Sequence, residues 1–299
     1  MRTKTAALAL SLLLAPASVL AQADPHAHHA KEAAAPAPAA TAAPLPSNEA
    51  IPPDADGAKA ALAKSPRHGE WVDLKLADGT TLLTWVVYPE TEAKAGVVLV
   101  IHEIYGLTDW VRGVADQLAE DGFIALAPDL LSGFGPNGGG TDALGSEVTK
   151  VIRTLTPEQV AARLDVVREY ALKLPAANGR SASVGYCWGG SMSFAYAAAQ
   201  PKLDGAIVYY GSSPSDPAAY ARIAAPVLGL YGADDARVNA TIPAAEEGMK
   251  KAGKAFTANV HEGAGHGFLR QQAGRDGANR RASEKAWAAT LAFLRERLK

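Results

Sequence analysis

The single cysteine of this chain lies in a segment that could make its thiol a nucleophile. Cys187 has glycines two residues before and two residues after it, at positions 185 and 189. Gly-x-Cys-x-Gly is the pattern of a nucleophile elbow, a strained strand-to-helix turn, with sulfur in place of the serine hydroxyl. At the start of a helix, the helix dipole gives the thiol thiolate character. The alternative is a small, inert core cysteine, but a core position does not require flanking glycines.

An acid that could orient a catalytic imidazole follows the cysteine in the chain. The loop after a predicted strand at 226–231 holds two adjacent carboxylates, Asp234 and Asp235, and both qualify by position. We choose Asp235, because Gly-x-x-Asp-x-x-Val is the usual spacing for this acid. Asp234 is then expected to be a cap or loop residue.

The histidine of the constellation is expected last in the chain, after nucleophile and acid. His266 lies in a glycine-rich turn between the final predicted strand and the final predicted helix, where its imidazole can reach the thiol. His261 is less favoured because it lies on the strand itself. His102 ends another strand, so it either lines the pocket or packs in the interior.

Strands and helices alternate along the part of the chain that carries these residues. An antiparallel hairpin is predicted at the start, and short apolar runs further on are typical of strands buried on both faces. A glycine-rich excursion with weak periodicity covers residues 131–155. The predicted strands are 71–76, 81–88, 96–101, 123–127, 181–186, 205–210, 227–231 and 256–261, and the predicted helices are 109–120, 157–172, 188 onward, 242–251 and 283–298. This alternation predicts one α/β domain with a doubly wound, mostly parallel sheet and helices on both faces.

The first part of the chain is predicted to serve export rather than the fold. Residues 1–21 combine a short basic start, an apolar stretch and small residues before a cleavage site after Ala21, with Ala23 as the alternative site. Residues 22–58 are rich in Ala and Pro and predict a disordered linker, which leaves 59–299 as the folded domain. We therefore expect a periplasmic or secreted protein without a stable membrane anchor.

Composition limits the partners of the domain. A net charge of −2 without a basic stripe argues against nucleic acid, and one cysteine cannot form an internal disulfide. Three histidines in the predicted linker, His26, His28 and His29, lack a rigid scaffold that would fix a metal. We expect a monomer that needs no metal or cofactor and acts on a small molecule.

Taken in order, four segments of the chain resemble the dienelactone hydrolases, the cysteine branch of the α/β-hydrolase superfamily. The resemblance runs from about residue 70 to residue 298. The segments are His-Glu-Ile-Tyr-Gly at 102–106, Pro-Asp-Leu at 128–130, Gly-Tyr-Cys-Trp-Gly-Gly at 185–190 and Ala-Gly-His-Gly-Phe at 264–268. The resemblance implies an α/β-hydrolase fold and hydrolysis of an ester or lactone.

The resemblance gives Glu103 a distinctive task. Its carboxylate would hold the thiol proton in the free enzyme and swing away when substrate arrives, which leaves the thiolate of Cys187 paired with His266. A structural loop acid is the alternative, although carboxylates are seldom buried without a partner just after a central strand.

The resemblance also assigns the groups that contact substrate. The backbone N–H groups of Ile104 and Trp188 would form the oxyanion hole. Arg270 matches an arginine that binds the substrate carboxylate, with a surface arginine as the alternative, and Tyr105 is expected at the substrate as well.

One departure from the family pattern bears on the substrate. A second arginine is expected shortly after the Pro-Asp-Leu segment, where this chain has Leu131, Ser132 and Gly133. We therefore expect an exported hydrolase of activated esters or lactones, working through a thioester acyl-enzyme, rather than a dedicated dienelactone hydrolase. The alternatives are a general carboxylesterase of broad specificity and a non-catalytic binding homologue. A redox or metal protein would need a second thiol or a fixed ligand set.

Overall fold

A computed structural model describes residues 50–299 and contains an eight-stranded sheet with helices on both faces. The strands are β1 (Gly69–Lys75), β2 (Thr81–Val87), β3 (Ala95–Ile101), β4 (Ile124–Pro128), β5 (Ala177–Tyr186), β6 (Gly205–Tyr209), β7 (Val227–Gly232) and β8 (Phe256–His261). The helices are α1 (Ala58–Lys64), α2 (Asp109–Glu120), α3 (Thr141–Leu144), α4 (Val148–Val151), α5 (Pro157–Leu172), α6 (Trp188–Ala199), α7 (Ala218–Arg222), α8 (Ala236–Asn239), α9 (Ile242–Lys251) and α10 (Ala278–Arg297).

The order of the strands across the sheet is β1-β2-β4-β3-β5-β6-β7-β8. β2 pairs antiparallel with both β1 and β4, and all pairs from β4 to β8 are parallel. The predicted fold class, a doubly wound and mostly parallel sheet, is confirmed. Because the strands from β4 onward run in one direction, the loops after their carboxyl ends meet along one edge of the sheet, which is where such folds bind ligands.

The core lies on both faces of the sheet. Alternate residues of β3 belong to different apolar clusters, with Leu99 in one and Val100 in the other. Helices α5, α6 and α9 cover the first face, and α2 and α10 cover the second. β3 is buried along its whole length, because helices shield it on either side.

The glycine-rich excursion after β4 folds into short helices instead of a long one. It contains α3, α4 and three turns of 3₁₀ helix, at Pro136–Gly138, Gly145–Glu147 and Ile152–Thr154. The closing helix α10 begins at Ala278, five residues before the position expected from its amphipathic pattern.

Residues 51–58 pack on the domain, whereas the sequence predicts a disordered linker through residue 58. Ile51 is 5% exposed and Ala58 is fully buried. The indole N–H of Trp110 donates to the Pro53 carbonyl at 3.1 Å, and the side-chain amide of Gln272 donates to the Pro52 carbonyl at 2.8 Å. One large apolar side chain and two backbone carbonyls therefore anchor a segment whose composition alone indicates disorder.

The predicted signal peptide at 1–21 and residues 22–49 of the predicted linker lie outside the described residues. From residue 50 onward, no helix has the length and apolar character needed to cross a membrane.

Removing the anchored segment should lower stability. A chain that begins at residue 59 loses the burial of Ile51 and leaves the indole N–H of Trp110 without its carbonyl partner. The side-chain amide of Gln272 loses one of its two carbonyl partners and keeps the other, that of Leu269. We expect its free energy of unfolding to fall by about 1–3 kcal/mol relative to a chain that begins at residue 50. Urea unfolding followed by tryptophan fluorescence measures the difference. Asp56→Ala, at an exposed position of the same segment, should change stability little. Equal stability of the two chains would show that the segment contributes nothing.

Candidate active site

Cys187 lies in the tight turn between β5 and α6. Its backbone has φ 55° and ψ −116°, a conformation that is strained for a residue with a side chain. The turn is held by hydrogen bonds from the Cys187 N–H to the Tyr209 carbonyl at 3.0 Å and from the Gly190 N–H to the Cys187 carbonyl at 3.0 Å. A Cβ at position 185 would collide with the Gly189 carbonyl, so glycine is required there. The strain presents the thiol at the carboxyl end of β5.

His266 contacts both the thiol and a carboxylate. Its Nε2 lies 3.0 Å from Cys187 Sγ, and its Nδ1 lies 2.5 Å from Asp235 Oδ2. The cysteine follows β5, the aspartate follows β7 and the histidine follows β8, so three separate loops at one edge of the sheet bring the three groups together.

Asp235, and not Asp234, faces the imidazole. Asp235 is the N-cap residue of α8 and is 7% exposed, and its Oδ1 accepts the Val238 N–H at 3.4 Å. The other oxygen, Oδ2, is therefore free to bind His266. Asp234 is exposed and pairs with Arg275 at 2.5 Å. The two adjacent acids therefore have different partners. Asp235 caps α8 and contacts His266, whereas Asp234 pairs with Arg275.

The surroundings of His266 favour its charged form. Burial disfavours the imidazolium, but hydrogen bonds with Asp235 and Cys187 outweigh it and raise the pKa of His266 to about 10. The ring of Tyr210 packs against the imidazole with centroids 5.2 Å apart. The imidazole can therefore hold a proton beside the sulfur at neutral pH.

Glu103 is buried at 4% exposure and pairs with an arginine. Its Oε2 lies 3.3 Å from Arg270 Nε, and the guanidinium of Arg270 lies 4.9 Å from the ring centroid of Tyr105. Arg270 is thus not a surface arginine, and Tyr105, although 45% exposed, contacts it directly. Burial raises the pKa of Glu103 to about 7, while the charges of Arg270 and His266 act to lower it.

This arrangement differs from the resting state that the family resemblance implies. There the carboxyl group of Glu103 holds the thiol proton, whereas here Glu103 pairs with Arg270 and the thiol contacts His266. The physical reason is that a buried carboxylate gains more from a neighbouring cation than from a thiol.

The two expected oxyanion donors lie at neighbouring turns. Ile104 follows β3 and Trp188 begins α6, and within residues 50–299 neither backbone N–H donates to another backbone group across a turn or loop. The two turns are in close contact, because a Cβ at position 189 would collide with the carbonyl oxygens of Ile101 and His102.

His102 packs in the interior and does not contact the thiol. It is fully buried, and both ring nitrogens have hydrogen-bond partners in the backbone of the described chain. His261, the other alternative, lies on β8 with its ring 5.5 Å from that of Phe268.

The loop where a second arginine is expected cannot hold one at Gly133. This residue has φ 89°, a backbone conformation that favours glycine, and a side chain there would collide with the side chain of Thr80. Arg163, which is buried, donates to the Ser132 carbonyl at 2.9 Å and lies over the Phe134 ring. Residues 131–149 contain no lysine or arginine.

Sequence reasoning missed the residues that support the site. Tyr210 packs on His266, and Asp129 and Thr141 hold the loop that contains Ile104. In the sequence, Asp129 appears only within the Pro-Asp-Leu motif, and no pattern in the glycine-rich segment indicates a role for Thr141. Residues 50–299 hold no group of three or more His, Cys, Asp or Glu side chains arranged to bind a metal.

The chain is similar to known proteins in sequence and in fold. The model of the dienelactone hydrolase family matches residues 83–298. A "putative carboxymethylenebutenolidase" of Saccharolobus solfataricus is 30% identical over 252 residues, covering 73% of this chain and 95% of that protein. A protein of the same description from Escherichia coli is 31% identical over 192 residues, covering 60% of this chain and 69% of that protein. A solved structure titled as a "putative dienelactone hydrolase" from Klebsiella pneumoniae shares the fold, with a TM-score of 0.68, 24% identity, and coverage of 77% of this chain and 99% of that chain.

The contact between His266 and Asp235 should set the proton affinity of the imidazole. Asp235→Asn removes the charge that stabilises the imidazolium, so the pKa of His266 should fall markedly. Asp234→Asn is the matched control and should leave it unchanged, because Asp234 binds Arg275 instead. An NMR titration of the histidine ring carbons measures both. If Asp234→Asn lowered the pKa of His266 more than Asp235→Asn does, Asp234 and not Asp235 would be the acid that contacts the imidazole.

Proposed function

The chain belongs to the dienelactone hydrolase family and is a hydrolase of ester or lactone bonds, and we propose that Cys187, His266 and Asp235 are its catalytic triad. The observation that carries the proposal is the position of His266, which bonds the thiol on one side and a buried carboxylate on the other. Asp235 would hold the imidazole in one orientation and stabilise its charge.

The reaction would proceed in two stages. The thiolate of Cys187 attacks the acyl carbon, and the negative charge on the carbonyl oxygen is stabilised by the N–H groups of Ile104 and Trp188. His266 then gives its Nε2 proton to the departing oxygen, which leaves a thioester on Cys187. In the second stage His266 takes a proton from water, the water attacks the thioester, and the thiolate leaves.

Glu103 would regulate the proton on the sulfur. Its pKa of about 7 means that the carboxyl group can carry or release a proton near neutral pH. Close to the thiol it would accept the thiol proton. Paired with Arg270 as a carboxylate, it leaves that proton to His266, so that the thiolate of Cys187 faces an imidazolium. Arg270 lies 3.3 Å from the carboxylate and would stabilise the second position.

Activated esters and lactones are the proposed substrates. A thiolate displaces good leaving groups such as enolates and aryloxides, so unactivated alkyl esters should react slowly. Arg270 is the one arginine among the residues that we assign to this site, and residues 131–133 supply no second one. The preference for a carboxylated substrate should therefore be weaker than two arginines would give.

The first test is the dependence of activity on Cys187. Cys187→Ala should abolish hydrolysis of 4-nitrophenyl acetate, and Cys187→Ser should retain little, because a hydroxyl needs far more activation than a thiol. One equivalent of iodoacetamide should inactivate the wild-type enzyme. Circular dichroism controls for folding of the variants. Full activity of Cys187→Ala would refute the cysteine mechanism.

The second test is the role of Arg270 in recognising charge. Arg270→Ala removes a charge-assisted contact, so the ratio of kcat/KM for an anionic dienelactone to that for 4-nitrophenyl acetate should fall about tenfold to hundredfold. The ratio is the relevant quantity, since releasing Glu103 would lower kcat for both substrates. Arg275→Ala, which removes an exposed arginine paired with Asp234, is the matched control. An unchanged ratio would place Arg270 outside the substrate site.

A further inference from the structure

The peptide bond between Glu103 and Ile104 carries one of the two proposed oxyanion donors. Because the peptide unit is planar and trans, its C=O and its N–H point in opposite directions. Whatever holds the Glu103 carbonyl on one side therefore aims the Ile104 N–H on the other. The Glu103 carbonyl accepts two hydrogen bonds, from His102 Nδ1 at 2.9 Å and from the Gly106 N–H at 3.1 Å.

The imidazole of His102 connects this peptide to a neighbouring strand end. Its Nε2 accepts the Leu130 N–H at 3.2 Å, so the proton lies on Nδ1 and is donated to the Glu103 carbonyl. Burial lowers the pKa of His102, although the charge of Asp129 and the hydrogen bond to Glu103 act in the other direction. The ring is thus neutral and held in a single tautomer.

His102 also contacts the other half of the proposed oxyanion hole. Its ring stacks on that of Trp188 with centroids 5.7 Å apart and an angle of 17° between the planes. Trp188 supplies the second N–H. One buried ring therefore bonds the peptide that carries the first of these N–H groups and stacks on the side chain of the residue that carries the second.

A second link supports the same loop from its far end. The Leu107 N–H donates to Thr141 Oγ1 at 3.0 Å, and that hydroxyl donates to Asp129 Oδ1 at 2.8 Å. The Thr141 N–H donates to Asp129 Oδ2 at 2.7 Å. Asp129 itself is buried, so the loop is linked to a fixed carboxylate in the core.

We propose that His102 is a positioning residue that orients the Glu103–Ile104 peptide for oxyanion stabilisation, with Thr141 as a second support of the same loop. This rests on the proposed function, because it assumes that the Ile104 N–H binds the developing oxyanion. The predicted consequence is selective. Loss of the support should impair steps that form an oxyanion and spare reactions of the sulfur that form none.

The test compares His102→Leu with His102→Asn. Leucine removes both hydrogen bonds, whereas the side-chain amide of asparagine can still donate to the Glu103 carbonyl. For 4-nitrophenyl acetate, kcat of the leucine variant should fall about tenfold to hundredfold. This is less than the loss expected when one oxyanion donor is removed, because the Ile104 N–H is misaligned and not absent. KM should change by less than about twofold, because the contact matters in the transition state. Asparagine should restore most of kcat.

Alkylation of Cys187 supplies the readout that a general structural defect would change. Iodoacetamide reacts by displacement: the sulfur bonds to carbon, iodide leaves, and no oxyanion forms. The rate of alkylation should therefore remain within about twofold of wild type in both His102 variants. His261→Leu removes another half-buried histidine, on β8, and should leave both rates unchanged.

Thr141 provides an independent pair of variants if His102→Leu fails to fold. Thr141→Val should lower kcat without slowing alkylation, and Thr141→Ser should retain kcat. The proposal is overturned if leucine and asparagine at position 102 give the same kcat, or if alkylation slows in parallel with hydrolysis. If the His102 variants do not fold, the proposal is overturned when Thr141→Val and Thr141→Ser both have the kcat of the wild-type enzyme. Failure of iodoacetamide to inactivate the wild-type enzyme would instead refute the proposed cysteine mechanism.

Discussion

The close approach of β3 to the start of α6 is the constraint on which the site depends. Position 189 has no room for a side chain, because the carbonyl oxygens of Ile101 and His102 lie where its Cβ would be. This contact sets the loop after β3 beside the elbow that carries Cys187. The thiol, the carboxylate of Glu103 and both proposed oxyanion donors therefore share one small volume. A larger residue at position 189 would separate the thiol of Cys187 from Glu103 and from the proposed oxyanion donor at Ile104.

Burial and neighbouring charges together set the pKa values of Glu103 and His266. Glu103 is deep enough that its pKa rises to about 7, yet it faces two cations, Arg270 and the imidazolium of His266. Asp235 and Cys187 in turn favour the proton on His266. Glu103 can therefore carry or release a proton near neutral pH, while His266 holds one.

The supports of the site come from parts of the chain that carry no catalytic motif. The segment at 51–57 reaches the loop of Arg270, because the Ala55 N–H donates to the Arg270 carbonyl at 3.0 Å. The excursion after β4 contributes Thr141, which holds the loop of Ile104. The positions of the loops that carry Arg270 and Ile104 are therefore set partly by regions whose sequence resembles linker and loop.

The local sequence determined the main elements and indicated the groups that we propose to react. Apolar runs and helical spacing predicted the strands and the five longest helices of the described chain, since those patterns follow from which side chains each element must bury. The elbow glycines and the order cysteine, aspartate, histidine indicated the candidate nucleophile and its partners, because a strand–turn–helix of this shape imposes its own residue requirements. The tertiary structure decided what local pattern cannot encode. The pairing of Glu103 with Arg270 and the anchoring of the segment that contains Ile51 both depend on residues far apart in the chain. Their contacts arise only when the sheet brings separate loops to one edge.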